Sequence, residues 1–535
     1  MSLVVLSGLI CNAQEHRKSQ RPNILFAISD DQSFAHTSFV GCQFVNTPVF
    51  DKVAREGVYF ANCIAGSPGC APSRSSIITG RYPWQNEQSG QHASAWLKKY
   101  VPFIDVLERA GYSIGRTGKG VDPFQYARNG KDSLWRETNA AGILHSDFEY
   151  DKDSLSKMGG YASGIKTTDY FGNFKYFVEN EKGDKPFFFW FGAREPHRPY
   201  EKDSYKKVGK DLKDVRVPGF LPDNDVVKGD LLDYVVEVEW FDRQLGYMLE
   251  YLEEIGELEN TIVIVTSDNG KPFPSVKANA YEYGIHVPMA IRYPRNFSGG
   301  RVIKDPVSFV DIAPTILDIA GASPKGMMMP ITGKSFLNIL KSKKDGYVNK
   351  ENAYVFSGRE RHSSSRYKNW GYPQRALRSR DYLFIWNMKP DRWPAGAPQE
   401  FNPNDITSEI LNDGSYLYGR AYTDIDGSPT KDYLLKHADE EEIKQFLLMA
   451  VGKRPEFELF DINKDPYCLN NLADSPEYAE EKEKLKAELI KELNKTKDPR
   501  IVGPDKEIFD SYKRYSHIRK FPEPGHLDIE LNSER

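Results

Sequence analysis

Three stretches of the chain are continuously apolar and end abruptly in polar residues. They are Asn23–Ser29 (NILFAIS), residues 186–191 (PFFFWF) and residues 261–266 (TIVIVT), and residues 288–293 add a fourth apolar segment. Apolar runs of four to eight residues are typical of strands that are buried on both faces of a parallel sheet. The sequence therefore predicts a central sheet that contains these four strands.

Between the second and third of these runs, the apolar positions follow a helical period. The spacing of three or four predicts one long amphipathic helix, whose apolar stripe is Leu231, Val235, Val238, Phe241, Leu245, Met248 and Leu252. Shorter helices are predicted over residues 48–57 and 307–320. Strands that alternate with helices predict an α/β fold, with a mostly parallel sheet covered by helices on both faces.

The last third of the chain has a different pattern. Residues 375–386 and 458–461 have strand character, and a charged helix is predicted over residues 476–497. We therefore predict a smaller C-terminal α+β domain. The predicted organisation is a leader and linker over residues 1–20, a main domain over 21–372, the smaller domain over 373–500 and a tail over 501–535.

Polar side chains follow directly after three of the predicted strands. The three clusters are Asp30-Asp31, Glu195-Pro196-His197 and Asp268-Asn269-Gly270. Because open α/β sheets bind ligands beyond the carboxyl ends of their strands, we expect the clusters to converge in one site. Aspartate and asparagine offer oxygen ligands, which suit a hard cation such as Ca²⁺ or Mg²⁺. Taken singly, an Asp-Asp pair is more often a cap or turn, and a lone histidine is more often structural.

Composition excludes several classes of function. The 535 residues carry 72 basic and 76 acidic side chains, and the resulting net charge of −4 argues against nucleic-acid binding by phosphate neutralisation. No run of about 18 apolar residues is present that could span a membrane. The five cysteines, at positions 11, 42, 63, 70 and 468, are too scattered for a disulfide framework or a cysteine-rich metal site.

The N-terminus resembles the end of a secretory signal. An apolar run over residues 3–10 precedes Cys11-Asn12-Ala13, a small-x-small cleavage pattern before Gln14. The alternative interpretation is a disordered tail. With a signal, the mature protein is secreted, and the lack of a disulfide pattern favours a bacterial periplasm.

The most informative motif is Cys70-Ala71-Pro72-Ser73-Arg74, which is followed by Thr79-Gly80-Arg81. It resembles the signature of type I sulfatases, in which the cysteine of C-x-P-S-R is converted to formylglycine. Further matches extend the resemblance over residues 22–473 in the family's order: Asn46-Thr47-Pro48, Ala54-Arg55-Glu56-Gly57, Gly118-Lys119, Pro196-His197, Asp268-Asn269-Gly270, Lys277 and Glu458-Leu459-Phe460-Asp461. The resemblance implies an alkaline-phosphatase-like sulfatase fold and a hydrolase that removes sulfate from sulfated glycosaminoglycan sugars.

The resemblance also implies a role for each matched residue. The implied metal is Ca²⁺, with Mg²⁺ as the alternative, and its ligands are Asp30, Asp31, Cys70, Asp268 and Asn269. Arg74 would steady the hydrated formylglycine at position 70. The residues that would bind sulfate are Lys119, His197 and Lys277, and either His197 or Lys277 would protonate the leaving group. A formylglycine-generating enzyme is implied as the maturation partner.

Two local features bear on the substrate. Residues 268–275 (DNGKPFPS) resemble the same segment of sulfamidases, the heparan N-sulfatases, and Gln91-His92 also has a counterpart there. The resemblance implies that the substrate is glucosamine N-sulfate in heparin or heparan sulfate fragments, and that His92 contacts it. The family's Lys-x-His histidine is absent after Lys119, so its role must be filled elsewhere or lost. His286 stands where an arginine is common, and we expect it to be structural.

Other functions remain open at this point. The same machinery fits an O-sulfatase or arylsulfatase, and related enzymes hydrolyse phosphonates or phosphodiesters. The absent histidine also leaves open an inactive homologue that only binds carbohydrate. The aromatic and basic residues 359–370, with residues 392–394, are expected either to line the sugar pocket or to pack between domains.

Overall fold

The computed structural model describes residues 21–127, 132–398 and 421–519, together with residues 521, 523 and 524. The predicted leader over residues 1–20 lies outside the described residues, as do residues 525–535 of the predicted tail. Within the described part of the chain, no helix combines the length and apolar character needed to cross a membrane.

A seven-stranded sheet forms the centre of the main domain. Its strands are β1 Asn23–Ser29, β2 Val58–Phe60, β3 Ser113–Gly118, β4 Phe187–Gly192, β5 Thr261–Ser267, β6 Met289–Arg292 and β7 Arg301–Ile303. Their order across the sheet is β7-β2-β6-β5-β1-β4-β3.

The sheet is mixed but mostly parallel. Strand β1 pairs in parallel with β4 and β5, and β3 pairs in parallel with β4. Strand β6 runs antiparallel to both β5 and β2. The predicted α/β class is confirmed, and the strand predicted at residues 288–293 is the one that reverses direction. Every residue of β1 and β5 is buried, because the sheet is covered on both faces.

Helices cover both faces of this sheet. Those of the main domain are α1 Pro48–Glu56, α2 Cys70–Thr79, α3 Phe103–Arg109, α4 Lys152–Lys157, α5 Tyr170–Tyr176, α6 Ser204–Lys207, α7 Asp225–Glu254, α8 Glu282–Ile285, α9 Ile312–Ala320 and α10 Leu337–Lys341. Alternate residues of β1 enter opposite cores. Leu25 and Ala27 pack with α7, whereas Ile24 and Phe26 pack with α2, α3 and α9.

The prediction of a helix over residues 307–320 was wrong for its first five residues. Val307–Ser308 is a short strand and Phe309–Asp311 is a 3-10 turn, with α9 beginning only at Ile312. Asp311 Oδ2 accepts a hydrogen bond from the Ser308 backbone N–H at 2.9 Å, which caps the 3-10 turn that precedes α9. The other two-residue strands are Cys63–Ile64, Ser94–Ala95, Phe124–Gln125 and His286–Val287.

The C-terminal part is built on a four-stranded antiparallel sheet. In spatial order its strands are β8 Val355–Arg359, β9 Gln374–Arg378, β10 Tyr382–Asn387 and β11 Phe457–Asp461. Strand β8 precedes the boundary predicted at residue 373, and the predicted strand region 375–386 contains two strands. The accompanying helices are α11 Pro429–Lys436, α12 Glu441–Val451, α13 Ala479–Lys495, α14 Pro499–Val502 and α15 Ile508–Ser511.

Residues 501–519, which the sequence assigns to a tail, pack back onto the main domain. Phe509 is buried, and its carbonyl accepts a hydrogen bond from Gln91 Nε2 at 2.9 Å. Arg361 Nη1 donates to the carbonyl of Tyr512 at 2.6 Å. Up to residue 519, this segment is therefore part of the packed structure.

Candidate active site

Four adjacent parallel strands bring the predicted site residues to one edge of the sheet. Strands β5, β1, β4 and β3 are consecutive and all point the same way, so the chain leaves each of them at the same edge. The site residues that follow are Asp30 and Asp31 after β1, Lys119 after β3, His197 beyond β4, and Asp268 and Asn269 after β5.

The carboxylates of Asp30, Asp31 and Asp268 form a fully buried oxygen cluster. One oxygen from each lies within 4.8 Å of the others. Asn269 Nδ2 donates to Asp31 Oδ1 at 2.7 Å, and Asn269 Oδ1 is buried without a hydrogen-bond partner among the described residues. Three carboxylates and an unpaired amide oxygen are the donors that Ca²⁺ and Mg²⁺ prefer, so these residues fit such a cation.

Cys70 is the first residue of helix α2, directly after Gly69. Its side chain is buried, and this burial raises the pKa of the thiol to about 11. An unmodified thiol here is therefore protonated near neutral pH and is a weak nucleophile. In the same turn, Ser73 Oγ donates to the carbonyl of Asp268 at 2.6 Å, which fixes the start of α2 to the end of β5.

Arg74 connects three of the strand ends. Its Nε donates to Asp268 Oδ2 at 2.7 Å, and its Nη2 lies 3.7 Å from Asp30 Oδ1. Its Nη1 donates to the carbonyls of Lys119 and Gly120 at 3.2 and 3.1 Å. The guanidinium is fully buried, so it holds the carboxylates and the Lys119 backbone in one arrangement.

Two lysines lie against the oxygen cluster. Lys119 Nζ donates to both oxygens of Asp30 at 2.8 and 2.6 Å. Lys277 Nζ lies between Asp31 Oδ2 at 2.7 Å and Asp426 Oδ2 at 2.9 Å. Burial acts to raise the pKa of the Asp30 carboxyl, but the nearby positive charges, of which Lys119 acts most strongly, hold it well below its usual value.

His197 stands at the open side of this group, with its side chain 36% exposed. Its Nδ1 lies 2.7 Å from the carbonyl of Arg198, which requires the proton to be on Nδ1. Its Nε2 lies 3.9 Å from Asp31 Oδ2. In the neutral ring Nε2 is therefore the free nitrogen, and it faces the cluster.

Two sequence models of known families match the chain. That of the sulfatase family matches residues 22–322, and that of the N-sulphoglucosamine sulphohydrolase C-terminal region matches residues 276–388. The chain belongs to the sulfatase family. It is therefore a hydrolase with the alkaline-phosphatase-like fold that the sequence motifs predicted.

Relatives and solved structures match this sulfatase over most of its length. It is 28% identical over 523 residues to an ulvan-active sulfatase of Formosa agariphila, covering 93% of this chain and 78% of that protein. It is 26% identical over 542 residues to human N-sulphoglucosamine sulphohydrolase, covering 94% and 95%. A structure solved with its substrate, D-glucosamine-2-N,6-O-disulfate, superposes with a TM-score of 0.61 at 19% identity, covering 91% of this chain and 100% of that one. At this identity, the structural match shows the shared fold.

His92 lies near the site but does not contact its carboxylates. Its ring centroid lies 5.2 Å from that of His362, and its Nδ1 lies 3.3 Å from Arg514 Nη1. Burial lowers its pKa well below the usual value, so the ring is neutral near pH 7. Within the described residues no hydrogen bond joins His92 to the carboxylate cluster, and its contact with substrate stays a prediction.

Sequence reasoning assigned no role to two residues at this site, Asp426 and His362, although His362 lies in the stretch 359–370 that was expected to line the pocket or to pack between domains. Asp426 pairs with Lys277 but belongs to no motif. His362 lies against the residue before Cys70, since a β-carbon at Gly69 would be 2.9 Å from His362 Nδ1. That nitrogen is buried without a partner among the described residues, and burial lowers the pKa of His362 to about 3. His362 thus places a neutral imidazole beside position 70. The family's Lys-x-His histidine, by contrast, is absent from this chain.

Most of the basic residues between 359 and 370 serve packing. The guanidinium groups of Arg359 and Arg366 both lie 2.6 Å from Asp424 Oδ2, and Arg392 lies 3.0 Å from Asp510. His286 is buried and packs as expected of a structural residue: its Nδ1 lies 2.9 Å from Glu282 Oε1, and the half-buried Phe34 ring stacks on it.

Proposed function

We propose that this sulfatase hydrolyses the N-sulfate of glucosamine residues in heparin or heparan sulfate fragments, after conversion of Cys70 to formylglycine. The hydrolytic chemistry rests on one observation, the convergence of Cys70 and Arg74 with a buried cluster of four oxygen-donor residues. The N-sulfate preference is supported by the match of residues 276–388 to the N-sulphoglucosamine sulphohydrolase C-terminal region and by the full-length similarity to the human enzyme of that name.

Asp30, Asp31, Asp268 and Asn269 would hold the metal, Ca²⁺ or alternatively Mg²⁺. When bound, a divalent cation there supplies Lewis-acid polarisation of a sulfate oxygen and offsets the negative charge of the transition state. The carboxylates are positioned without it, because Arg74 holds Asp268 and the Asp31 backbone N–H donates to Asp268 Oδ1 at 3.0 Å.

Position 70 would carry the nucleophile. A formylglycine hydrate at this position would supply the hydroxyl groups for attack on sulfur and for the later release of sulfate. The chain prepares this position in two ways. The N-terminus of the ten-residue helix α2 directs unpaired backbone N–H groups toward negative charge, and the buried Arg74 guanidinium lies one turn further on.

The remaining cations would bind the sulfate and protonate the leaving group. Lys119 and Lys277 place two ammonium groups beside the cluster, where their positive charge attracts the negative sulfate oxygens. The nitrogen released from sulfur must gain a proton. His197, at the open side of the site, and the buried Lys277 are the two candidate donors. Because the Nδ1 proton of His197 is held by the Arg198 carbonyl, His197 would donate from Nε2 as the imidazolium.

The test is sulfate release from three sugars by protein that has been co-expressed with a formylglycine-generating enzyme. The peptide mass at Cys70 first verifies conversion. We expect release from glucosamine N-sulfate and much slower release from glucosamine 6-sulfate and from a 2-O-sulfated disaccharide. Preferred release from either O-sulfate contradicts the proposed substrate, and preferred cleavage of a phosphonate monoester in the same assay contradicts sulfate specificity itself.

A second candidate is an O-sulfatase or arylsulfatase that uses the same machinery. It is favoured by the 28% identity to an ulvan-active sulfatase, which slightly exceeds the identity to the human N-sulphoglucosamine sulphohydrolase. The same panel, extended with ulvan oligosaccharides, separates the two candidates.

A further inference from the structure

Asp426 is an acidic residue of the site that neither the metal role nor the sulfate role explains. Its Oδ2 lies 2.9 Å from Lys277 Nζ, and that ammonium lies 2.7 Å from Asp31 Oδ2. One Asp426 oxygen also lies within 4.8 Å of an Asp31 oxygen and a His197 nitrogen. Asp426 therefore borders the cations assigned to the sulfate, and it is not one of the four proposed metal ligands.

Exposure separates Asp426 from the buried acids. Asp31 is fully buried, whereas the Asp426 side chain is 29% exposed and that of His197 is 36% exposed. Sulfate bound at the buried cluster leaves the rest of the sugar on the solvent side. The atom that joins sulfur to the sugar would then face the partly exposed side chains of Asp426 and His197.

The segment around Asp426 is anchored on both sides. Two residues earlier, the buried Asp424 accepts hydrogen bonds from Arg359 and Arg366, both at 2.6 Å. On the other side, Ser428 caps helix α11, and Thr430 Oγ1 donates to Asp230 Oδ2 at 2.6 Å. Asp426 Oδ1 makes no hydrogen bond to any described residue. The carboxylate is therefore held in place, and its Oδ1 is unpaired among the residues that the structure describes.

N-sulfates and O-sulfates release groups of different charge. Hydrolysis of R–NH–SO₃⁻ by water breaks the S–N bond, forms an S–O bond and gives R–NH₃⁺ and SO₄²⁻, with both protons of the water on nitrogen. Hydrolysis of R–O–SO₃⁻ gives R–OH, SO₄²⁻ and a free proton. Positive charge therefore develops on the leaving atom only in the first reaction, and interactions with developing charge are those that accelerate a reaction.

We propose that Asp426 is a specificity-determining residue, whose carboxylate stabilises the ammonium that forms on the leaving nitrogen of an N-sulfate. The inference rests on the proposed function and adds a reason for it. An ester oxygen carries partial negative charge as it leaves, and the same carboxylate repels it. Asp426 thus favours one class of substrate and disfavours the other.

The test compares wild-type protein with Asp426→Asn, which keeps the size of the side chain and removes its charge. The measured quantity is the ratio of kcat/KM for glucosamine N-sulfate to that for glucosamine 6-sulfate. We expect this ratio to fall at least about tenfold. Using a ratio cancels any general effect through Lys277, which both substrates share. The control is Asp432→Asn, the same change at an exposed position on α11, and it should leave the ratio unchanged.

Product inhibition gives a second measurement, which detects binding of the amine separately from catalysis. Glucosamine is a cation, and N-acetylglucosamine is the neutral counterpart. Wild-type protein should bind glucosamine more tightly than N-acetylglucosamine, and Asp426→Asn should lose most of that difference while its affinity for sulfate stays within about twofold. An equal loss of affinity for both sugars would show that Asp426 only supports the pocket.

The outcomes separate this inference from the proposed function. If wild-type protein releases N-sulfate and Asp426→Asn lowers both activities equally, the inference is wrong and the proposed function stands. If converted wild-type protein releases only O-sulfate, both are wrong. A selective loss of N-sulfate release, with the glucosamine preference abolished, supports both.

Discussion

At the residue scale, position 70 can be changed without disturbing the packing around it. The Cys70 sulfur is buried, and among the described residues no hydrogen bond ends on it. Cys70→Ala should therefore lower kcat by more than about a thousandfold through loss of the nucleophile, with a change in unfolding free energy below about 1 kcal/mol. Sulfate release and denaturant unfolding measure the two quantities.

The matched control is Cys42→Ala, at a half-buried cysteine that belongs to no part of the site. It should retain full activity. Substantial turnover by Cys70→Ala would refute the assigned nucleophile.

A substitution of Asp268 tests the proposed metal site, also at the residue scale. Its two oxygens contact Arg74 Nε and the Asp31 backbone N–H, so its loss opens the oxygen cluster. In the wild type, Ca²⁺ should raise the thermal midpoint relative to EDTA, because a ligand that binds only the folded state stabilises it. Asp268→Ala should lose that rise together with activity, whereas the exposed control Asp318→Ala should keep both. Activity of Asp268→Ala in EDTA would contradict the metal role.

At the element scale, the ends of strands β3 and β4 lie so close together that no side chain fits at Gly192. A β-carbon at Gly192 would lie only 1.8 Å from the Lys119 carbonyl oxygen. That oxygen is held in place by hydrogen bonds from Arg74 Nη1 and Trp190 Nε1. Gly192→Ala must displace that backbone, so we expect a loss of about 1–3 kcal/mol in unfolding free energy and at least about tenfold in kcat/KM.

The control for this contact is Gly159→Ala. A β-carbon there would meet no atom within 4 Å, so stability and activity should be unchanged. Wild-type stability of Gly192→Ala would show that the two strand ends are farther apart than the structure places them.

Helix α8 connects the main domain to the C-terminal sheet through a buried ion pair. Glu282 Oε2 accepts from Arg378 Nε of β9 at 2.8 Å. Burial acts to raise the pKa of Glu282, but Arg378 and His286 hold it well below its ordinary value of 4.5. Because the carboxyl is more acidic in the folded state, its contribution to stability is present above pH 4.5 and is lost as the pH falls below that value.

Glu282→Gln should therefore cost about 3–5 kcal/mol at pH 7, since Arg378 is left buried without its anion. The difference from wild type should shrink as the pH falls below about 4.5. Urea unfolding at several pH values measures it, with Glu253→Gln at an exposed position as control. A difference that is independent of pH would exclude an ionised Glu282.

At the scale of the whole molecule, residues 501–519 pack against an early segment of the main domain and against α13. Phe509 is 1% exposed and packs with Tyr82, Trp84 and the helix α13 leucines. Phe509→Ala should lower the unfolding free energy by about 3–5 kcal/mol. Ile518→Ala, at a side chain that is 51% exposed, should change it by less than about 0.5 kcal/mol. Equal effects would contradict the packing of residues 501–519 onto the main domain.

The sequence by itself determined the features that local pattern encodes. Continuous apolar runs located the main strands, and the spacing of apolar residues by three or four located the long helix. Both patterns are local, because an element's burial on one face or on two determines which of its residues are apolar. The acids after β1 and β5 were predicted to meet, because parallel neighbours end at one edge of a sheet. The motif at Cys70 then indicated the family, which the comparisons confirmed.

Only the tertiary structure decided which distant segments complete the site. Asp426 reaches Lys277 from 149 positions away, and His362, which follows β8, lies against Gly69 although the two are far apart in the sequence. The reversal of β6, the late start of α9 and the return of residues 501–519 were likewise absent from the pattern. Such contacts depend on how whole elements pack, and no short stretch of sequence carries that information.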